Sequence, residues 1–431
     1  MTEMDFLRGN MVTMPALFKQ LSPESMSYRT AILLSSILAL GACQPASDTP
    51  PDLAEEARRI AQGSIIIDGH VDLPYRLESK PEDVSVRTEG GHFDYPRARE
   101  GGLDVPFMSI YTPAALEAEG KSYAKAEELI EIVRKVVDDS DGKFAIATSP
   151  GDVRQQFEDG IISLPMGMEN GAPIDGDLAN LQYFFDRGIR YITLTHSLSN
   201  HISDSSFDEN KQWGGLSEFG AQVVPEMNRL GIMVDISHVS DEAFWQVLDL
   251  TAVPVIASHS SARHFTPGWE RNMGDEMIKG LAENGGVIMI NFGSAFVNEA
   301  ANEYLSARWA EALGYVGEHS DLPPATAIKE FNAKWEAEHG PAPTASLDDV
   351  LDHFDHVVSL VGVDHVGIGS DYDGVTELPE GLEDVSTFPD LIEGLLRRGY
   401  SEADIRKILG ENLLRVWDAV EAYAATKSTS T

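Results

Sequence analysis

The chain has 431 residues, 42% of them hydrophobic, which is enough apolar material for one large barrel or two ordinary domains. Acidic residues outnumber basic ones by 70 to 32, and the net charge of −38 argues against nucleic-acid binding because phosphates would be repelled. The single cysteine, Cys43, rules out an intramolecular disulfide and a thiolate metal cluster.

The first 43 residues have the pattern of an export signal. Arg29 precedes an apolar run at residues 31–40, which leads to Gly41-Ala42-Cys43. A basic start, a short apolar core and small residues before a cleavage point describe a secretory signal, too short for a stable membrane span. The end of the run resembles a bacterial lipobox, so we predict cleavage before Cys43 and a lipid on that cysteine. An ordinary cleaved signal with an incidental cysteine is the alternative.

Residues 44–51 contain several prolines and are interpreted as a flexible tether between Cys43 and a single domain at residues 52–425. Met26 gives a better-formed signal start than the first methionine, so residues 1–25 are interpreted as an upstream extension. We therefore predict an exported bacterial lipoprotein at the periplasmic face of a membrane, in contact with that membrane only through its lipid. If the leader is simply cleaved, the protein is periplasmic.

Beyond the tether, short apolar strands alternate with helices. A helix at residues 52–62 leads into the first strand, Ile65-Ile66-Ile67, whose β-branched residues are typical of a buried strand. Further apolar segments are predicted as strands at residues 105–111, 161–168, 191–195, 232–236, 253–257, 287–292 and 366–369. Helices are predicted at residues 124–137, 177–185, 218–230, 241–250 and 275–283, with a minor strand at residues 144–147.

This alternation indicates parallel βα units, and eight of them is the count of a (β/α)8 TIM-type barrel. A doubly wound open sheet is the alternative, but Asp68-Gly69-His70 after the first strand is not the glycine-rich phosphate loop of that fold. An acidic, tryptophan-containing helical insertion at residues 298–345 precedes the last strand. We predict that this insertion forms a cap or lid near the strand ends.

Histidines and carboxylates follow many of the predicted strands. His70 and Asp72 come first, and residues two apart in an extended chain project to the same side. One imidazole and one carboxylate aimed at one point suit a divalent metal such as zinc. Others follow later strands, at the rim where barrel enzymes build active sites: Glu169, His196, His238, His259 and Asp371. His201 and His264 lie in loops at the same rim.

These groups exceed what one tetrahedral zinc needs. Two metals that share a bridging carboxylate and a bridging hydroxide would use them, and such a pair lowers the pKa of bound water to about 7. A water nucleophile is needed, since the only cysteine lies in the leader and no G-x-S-x-G motif is present. The rim therefore predicts a two-metal hydrolase.

Several stretches together match the motifs of one known family. They are Asp68-Gly69-His70-Val71-Asp72-Leu73-Pro74, Thr193-Leu194-Thr195-His196-Ser197, Asn228-Arg229-Leu230-Gly231, Asp235-Ile236-Ser237-His238-Val239-Ser240, Pro254-Val255-Ile256-Ala257-Ser258-His259-Ser260-Ser261-Ala262, Arg271-Asn272, Gly369-Ser370-Asp371-Tyr372-Asp373-Gly374 and Glu380-Gly381-Leu382-Glu383-Asp384-Val385. With these motifs the chain resembles the membrane (renal) dipeptidase family, zinc peptidases on an amidohydrolase-type barrel. The resemblance covers residues 64–420 in family order.

The resemblance implies a cofactor of two zinc ions, with other divalent metals as alternatives. One zinc would be held by His70 and Asp72. The other would be held by His238 and His259, and Glu169 would bridge the pair.

Three further roles follow from the same resemblance. His196 would polarise the scissile carbonyl or stabilise its oxyanion. Asp371 would hold the bridging water and pass its proton to the leaving amine. Arg271 would pair with the terminal carboxylate of the substrate, which a planar guanidinium matches well. The chain departs from the family pattern at Asn170, where relatives often have glycine, and at Phe296, where relatives can offer a tyrosine hydroxyl.

The resemblance also implies the activity, namely hydrolysis of small dipeptides, including those with a D-residue at the C-terminal side. Homodimers are common among relatives, so a homodimer is one expected state. Two alternatives stay open. One is another binuclear metal amidase, such as an N-acyl-amino-acid deacylase, and the other is a non-catalytic lipoprotein that binds peptide.

Overall fold

The computed structural model describes residues 52–319 and 324–428. The expected signal peptide, the lipid site at Cys43 and the tether at residues 44–51 lie outside the described residues, so they stay predictions. Within the described part of the chain, no helix is long and apolar enough to cross a membrane.

Eight parallel strands of the described chain close into a barrel in the order β1-β2-β5-β6-β7-β8-β9-β10, which confirms the predicted fold. Two short strands, β3 and β4, pair with each other outside it. The strands are β1 (Ile66–Val71), β2 (Leu103–Tyr111), β3 (Phe144–Ile146), β4 (Ile162–Leu164), β5 (Met166–Glu169), β6 (Ile189–Thr193), β7 (Met233–Asp235), β8 (Ile256–Ala257), β9 (Val287–Ile290) and β10 (Val366–Ile368).

Helices surround the barrel between these strands. They are α1 (Leu53–Gln62), α2 (Leu73–Ser79), α3 (Tyr95–Gly101), α4 (Ala115–Ala118), α5 (Ser122–Asp139), α6 (Pro150–Glu158), α7 (Ala179–Arg187), α8 (Gly220–Leu230), α9 (Asp241–Leu250), α10 (Asp275–Glu283), α11 (Ser294–Val297), α12 (Glu299–Glu318), α13 (Pro324–His339), α14 (Leu347–Val361), α15 (Phe388–Arg397), α16 (Glu402–Arg406) and α17 (Asn412–Ser428).

Most predicted strands differ from the observed ones by a few residues at their ends, and two of the differences bear on the site. The segment predicted as one strand at residues 161–168 is two strands, β4 and β5, separated by Pro165. Proline has no N–H to donate, so it interrupts a strand. The carbonyl of Pro165 still accepts a hydrogen bond from the N–H of Met108 at 2.8 Å. The first strand also continues past Ile67 to Val71, so His70 lies within β1 and only Asp72 follows it.

Alternate side chains of the barrel strands point to two apolar layers. Ile66 packs in the layer between the strands and the outer helices, whereas Ile67 points into the barrel. Inside the barrel, the ring of Phe107 lies 5.4 Å from Trp417 of α17 and 5.3 Å from Tyr191. The helix α17 thus packs at the N-terminal end of the barrel, and its Trp417 contacts Phe107, which in turn contacts the ring of Tyr191.

The insertion before β10 is helical, as expected, and consists of α12 and α13. It has a small apolar cluster of its own around Phe331 and Trp335. Arg308 of α12 contacts Glu377, in the loop after β10, at 3.2 Å. The expected role of the insertion as a cap or lid stays a prediction.

Candidate metal centre and active site

The carboxyl ends of six barrel strands bring the predicted site residues into one cluster. Each strand contributes one or two polar side chains, either as its last residues or within three residues of its end. Apart from His196, whose side chain is 20% exposed, these side chains are buried. The members are His70, Asp72, Glu169, His196, His238, His259 and Asp371.

Glu169 lies between two sets of histidines, one at each carboxylate oxygen. Its Oε2 is 3.4 Å from Nε2 of His70. Its Oε1 is 3.2 Å from Nε2 of His238 and 3.3 Å from Nε2 of His259. Oε1 also lies 3.4 Å from Nε2 of His196. A carboxylate with its two oxygens turned to separate imidazole groups has the arrangement that a bridge between two metals requires.

The spacing of these atoms fits a metal centre. Ligands about 2.0–2.1 Å from a tetrahedral zinc lie roughly 3.3 Å from one another. The Nε2 atom of His70 is 3.2 Å from Oδ2 of Asp72, and within the described chain it is buried without a hydrogen-bond partner. The Nε2 atoms of His238 and His259 are only 2.9 Å apart. A cation placed between these atoms would satisfy the facing nitrogens and the carboxylate oxygens together.

Tyr191 fixes the orientation of His70 from inside the barrel. Its hydroxyl donates to the carbonyl of Gly69 at 3.0 Å, so it accepts from Nδ1–H of His70 at 2.9 Å. Burial lowers the pKa of His70, but Tyr191, Glu169 and Asp72 outweigh it and raise that pKa well above the usual range. Nε2 therefore carries a proton or a cation between the carboxylates while Nδ1–H stays on Tyr191. The ring of Tyr191 fits because residue 167 is glycine, where a Cβ would lie 1.9 Å from that ring.

His259 is oriented by a different pair of residues. Ser258 Oγ donates to Oδ2 of Asp235 at 2.6 Å and accepts from Nδ1–H of His259 at 2.7 Å. Burial lowers the pKa of His259 and of His238 well below the usual range, and the charge of Arg271 lowers both further. Both imidazoles are therefore neutral, as metal ligation requires.

Arg271 is buried beside the His238 and His259 pair. Its guanidinium donates to Ser260 Oγ and to the carbonyl of His259, each at 2.7 Å, and Nη2 is 3.1 Å from Nε2 of His238. Its Nε has no hydrogen-bond partner among the residues that the structure describes. Burial lowers the pKa of Arg271 to about 10, which leaves it charged at neutral pH.

Asp371 lies on the other side of the centre, close to His70 and Asp72. Asn291 donates to its Oδ2 at 2.7 Å, and its backbone N–H donates to the carbonyl of His70 at 3.1 Å. Its φ of 64° is in the left-handed region, which an aspartate adopts only where the surroundings hold it. Burial raises the pKa of Asp371 to about 8, and the charges of Asp72 and Glu169 act in the same direction. A carboxyl with such a pKa can both accept and release a proton near neutral pH.

The two additional rim histidines are not part of this cluster. Nδ1 of His201 pairs with Oε1 of Glu117 at 2.6 Å, and His264 stacks on His356 with 4.4 Å between ring centroids. Asn170, where the chain departs from the family pattern, connects neighbouring loops by hydrogen bonds. Its amide donates to the carbonyl of Thr112 at 2.8 Å and its Oδ1 accepts from Asn200 at 2.9 Å.

Sequence reasoning missed the residues that hold the cluster from behind. Tyr191 and Asn291 lie inside predicted strands, where an apolar environment gives no sign of a polar role. Asp68 and Asp235 carried a signal, since each precedes a predicted ligand within a matched motif. Oδ1 of Asp68 accepts from the N–H groups of His70 at 3.2 Å and Ser370 at 2.8 Å, and so connects the ends of β1 and β10.

The known proteins that this chain resembles include dipeptidases and metallopeptidases. The family model of the membrane dipeptidases (peptidase family M19) matches residues 54–431. The chain is similar to the crystal structure of the probable dipeptidase PvdM from Pseudomonas aeruginosa, with 27% identity and a TM-score of 0.76 over 87% of this chain and 100% of that one. It is also similar to a metallopeptidase from Rhodobacter sphaeroides liganded with a phosphinate mimic of the dipeptide L-Ala-D-Ala. That match has 27% identity and a TM-score of 0.68 and covers 83% of this chain and 99% of that one.

Proposed function

The chain belongs to the membrane dipeptidase family and is a metallo-dipeptidase, and we propose that it hydrolyses small dipeptides, L,D-dipeptides included, with two zinc ions. The observation that carries this proposal is the position of Glu169, with Oε2 turned to His70 and Oε1 turned to His238 and His259. This arrangement supports two metal sites that share one carboxylate.

In this proposal His70 and Asp72 hold one zinc and His238 and His259 hold the other. The assignment of the first zinc to His70 and Asp72 is supported by Nε2 of His70, which lies next to Oδ2 of Asp72 and has no hydrogen-bond partner among the described residues. When bound, the two ions supply a hydroxide nucleophile at neutral pH and polarise the peptide carbonyl.

Asp371 moves the proton in the reaction that we propose. Its carboxyl accepts a proton from the attacking water and delivers it to the nitrogen of the leaving amine. Asn291 keeps the carboxyl turned to the centre by donating to Oδ2.

Arg271 and His196 contact the substrate in the proposal. The unpaired Nε–H of Arg271 is available to the terminal carboxylate, and the planar guanidinium can present a second donor beside it. His196 is the most exposed histidine of the cluster, and its Nε2 faces the same centre as Glu169. It is placed to stabilise the oxyanion that forms at the scissile carbonyl.

L,D-dipeptides are included because a similar metallopeptidase is liganded with a mimic of L-Ala-D-Ala. The test uses L-Ala-L-Ala, L-Ala-D-Ala and an N-acetylated amino acid with purified protein whose metal content is measured. We expect about two zinc ions per chain, hydrolysis of both dipeptides, loss of activity after complete metal removal and recovery with zinc. Activity that survives complete metal removal, or cleavage of the acylated compound alone, would contradict the proposal.

We also propose that the protein is exported and anchored by a lipid on Cys43, on the basis of the lipobox-like sequence. Expressed from Met26 in a bacterial host, the wild-type protein should be recovered with the membrane fraction. The Cys43→Ser variant should lose lipid labelling, and equal labelling of the two proteins would contradict the anchor. The homodimer implied by the resemblance is tested by measuring the molar mass in solution.

A further inference from the structure

An exposed aromatic side chain, Phe207, lies at the entrance to the candidate site. It is 42% exposed, yet its ring centroid is 5.8 Å from that of His238. A single exposed aromatic residue is ordinary on a protein surface. Phe207 differs because it touches a member of the metal cluster and because its loop is held in place.

The loop that carries Phe207 is hydrogen-bonded to two residues of the site through the residues just before Phe207. Ser205 Oγ donates to the carbonyl of His196, and the N–H of Ser206 donates to the carbonyl of His238 at 2.8 Å. The N–H of Phe207 itself donates to Ser205 Oγ at 3.1 Å. The two residues immediately before Phe207 are thus tied to two residues of the cluster.

Two buried carboxylates make the rest of this loop rigid. Asp204 accepts from the backbone N–H groups of Gln212 at 2.7 Å and Gly215 at 2.9 Å. Asp208 accepts from those of Ser199 at 2.9 Å and Asn210 at 2.8 Å. Carboxylates that accept several backbone N–H groups fix a loop in one conformation, so Phe207 keeps its position without a packing partner above it.

Phe207 continues into a row of rings that ends at Arg271. Its ring centroid is 6.0 Å from that of Trp269, which is 4.9 Å from that of Phe296. The guanidinium carbon of Arg271 lies 5.0 Å from the centroid of Phe296. Phe207, Trp269 and Phe296 form what we call the Phe207 wall.

We propose that the Phe207 wall is the subsite for the side chain of the C-terminal residue of the dipeptide, and that it selects large apolar and aromatic side chains there. The proposal rests on the proposed function, since it requires the terminal carboxylate at Arg271. In a dipeptide, the side chain of the C-terminal residue is attached to the Cα that also carries the terminal carboxylate. When Arg271 binds this carboxylate, the side chain therefore lies against Phe296 and Trp269. A large side chain extends along the wall to Phe207 and removes its exposed face from water.

The chemistry of the wall supports this class of substrate. Trp269 and Phe296 meet edge to face, and such rings gain most from a further ring or branched aliphatic group packed against them. At Phe296 the wall presents no hydroxyl to the ligand. Small side chains such as that of alanine would leave Phe207 in water and gain little.

The test compares three L,L-dipeptides, Ala-Phe, Ala-Ala and Phe-Ala, with the zinc-loaded enzyme. In the wild type we expect kcat/KM for Ala-Phe to exceed that for Ala-Ala by about tenfold, the scale of one good aromatic contact. Phe207→Ala should lower kcat/KM for Ala-Phe by roughly fivefold to tenfold, mainly through KM, and change that for Ala-Ala less than about twofold. Phe207→Leu should keep most of the preference, because it retains apolar area.

Trp245→Ala is the matched control. Trp245 is 43% exposed on α9, where it packs edge to face on Phe244 in the outer helical layer, and its loss should change none of the three substrates. Equal effects of Phe207→Ala on Ala-Phe and Ala-Ala, no effect, or an effect on Phe-Ala instead would overturn the inference while leaving the dipeptidase intact. No turnover of any dipeptide by zinc-loaded wild type would overturn the proposed function and this inference with it.

Discussion

Both ends of the barrel bury polar groups, but the charged and polar groups that we single out at each end have different partners. At the carboxyl end, Nε2 of His70 and Nε of Arg271 have no hydrogen-bond partner within residues 52–319 and 324–428. At the N-terminal end, Asn412 donates to the carbonyls of residues 363 and 366, and Arg190 donates to three backbone carbonyls. Nε1 of Trp417 is an exception there, since it is buried without a partner among the described residues. Unpaired buried groups cost stability and persist where a ligand uses them, whereas paired groups stabilise the fold.

Two buried aspartates make the comparison sharper. Burial raises the pKa of Asp371, at the carboxyl end, to about 8 and that of Asp104, near the start of β2, to about 7. Asp371 faces the cluster of candidate metal ligands, while Asp104 accepts from the backbone N–H of Ile66 at 3.2 Å. A raised pKa therefore does not identify a catalytic carboxyl by itself. The position of the carboxyl, at the carboxyl end or the N-terminal end of the barrel, is needed to interpret the shift.

The largest effect is expected for Glu169→Gln at the carboxyl end. A neutral amide cannot bridge two cations, so kcat/KM should fall on the order of 10³-fold and the zinc content should fall below that of the wild type. The folded state should persist, because a buried charge is removed. Circular dichroism and metal analysis accompany the kinetics, and a variant that keeps both full zinc content and normal turnover would refute the bridging role.

Asp371→Asn should separate zinc binding from turnover. The amide cannot carry the proton between water and leaving amine, so kcat should fall roughly 10²–10³-fold while the zinc content stays as in the wild type. Asn291→Ala is the companion variant, because it removes the donor to Oδ2 and should cause a smaller loss. Near-normal turnover of Asp371→Asn would remove Asp371 from its proposed role.

The sequence was sufficient for the barrel and for expecting the predicted site residues at its carboxyl end, because strand periodicity and polar residues after the strands are local signals. That these residues bind metal stays a prediction. The sequence was insufficient where the role of a residue depends on a contact with a side chain from a distant strand. Tyr191 reaches His70, 121 positions away, only because residue 167 is glycine. The break at Pro165 was readable from the sequence, but the apolar residues on both sides favoured one strand.

Tyr191→Phe should weaken zinc binding with little change in the chemistry of the loaded enzyme. It removes the acceptor that holds the proton on Nδ1 of His70, and loss of such a partner costs about 10–100-fold in metal affinity. Zinc affinity is measured by competition with a chelator, and kcat at saturating zinc should stay within a few-fold of the wild type. Phe107→Leu, which alters the packing of the same ring without removing the hydroxyl, is the control. Unchanged zinc affinity in Tyr191→Phe would contradict the positioning role.

Asp104→Asn tests the other end of the barrel and should change stability alone. Both folded and unfolded forms of the wild type are protonated at this residue well below its usual pKa of 3.8. Between that value and about 7, the unfolded chain releases the proton while the folded protein keeps it, so the free energy of unfolding falls as pH rises. Asparagine cannot ionise but still accepts from Ile66. Its Tm should therefore match the wild type near pH 4 and exceed it by roughly 2–5 °C at pH 8, with dipeptidase activity unchanged. A Tm difference independent of pH would show that burial of this carboxyl costs the fold nothing, and would weaken the contrast between the two ends.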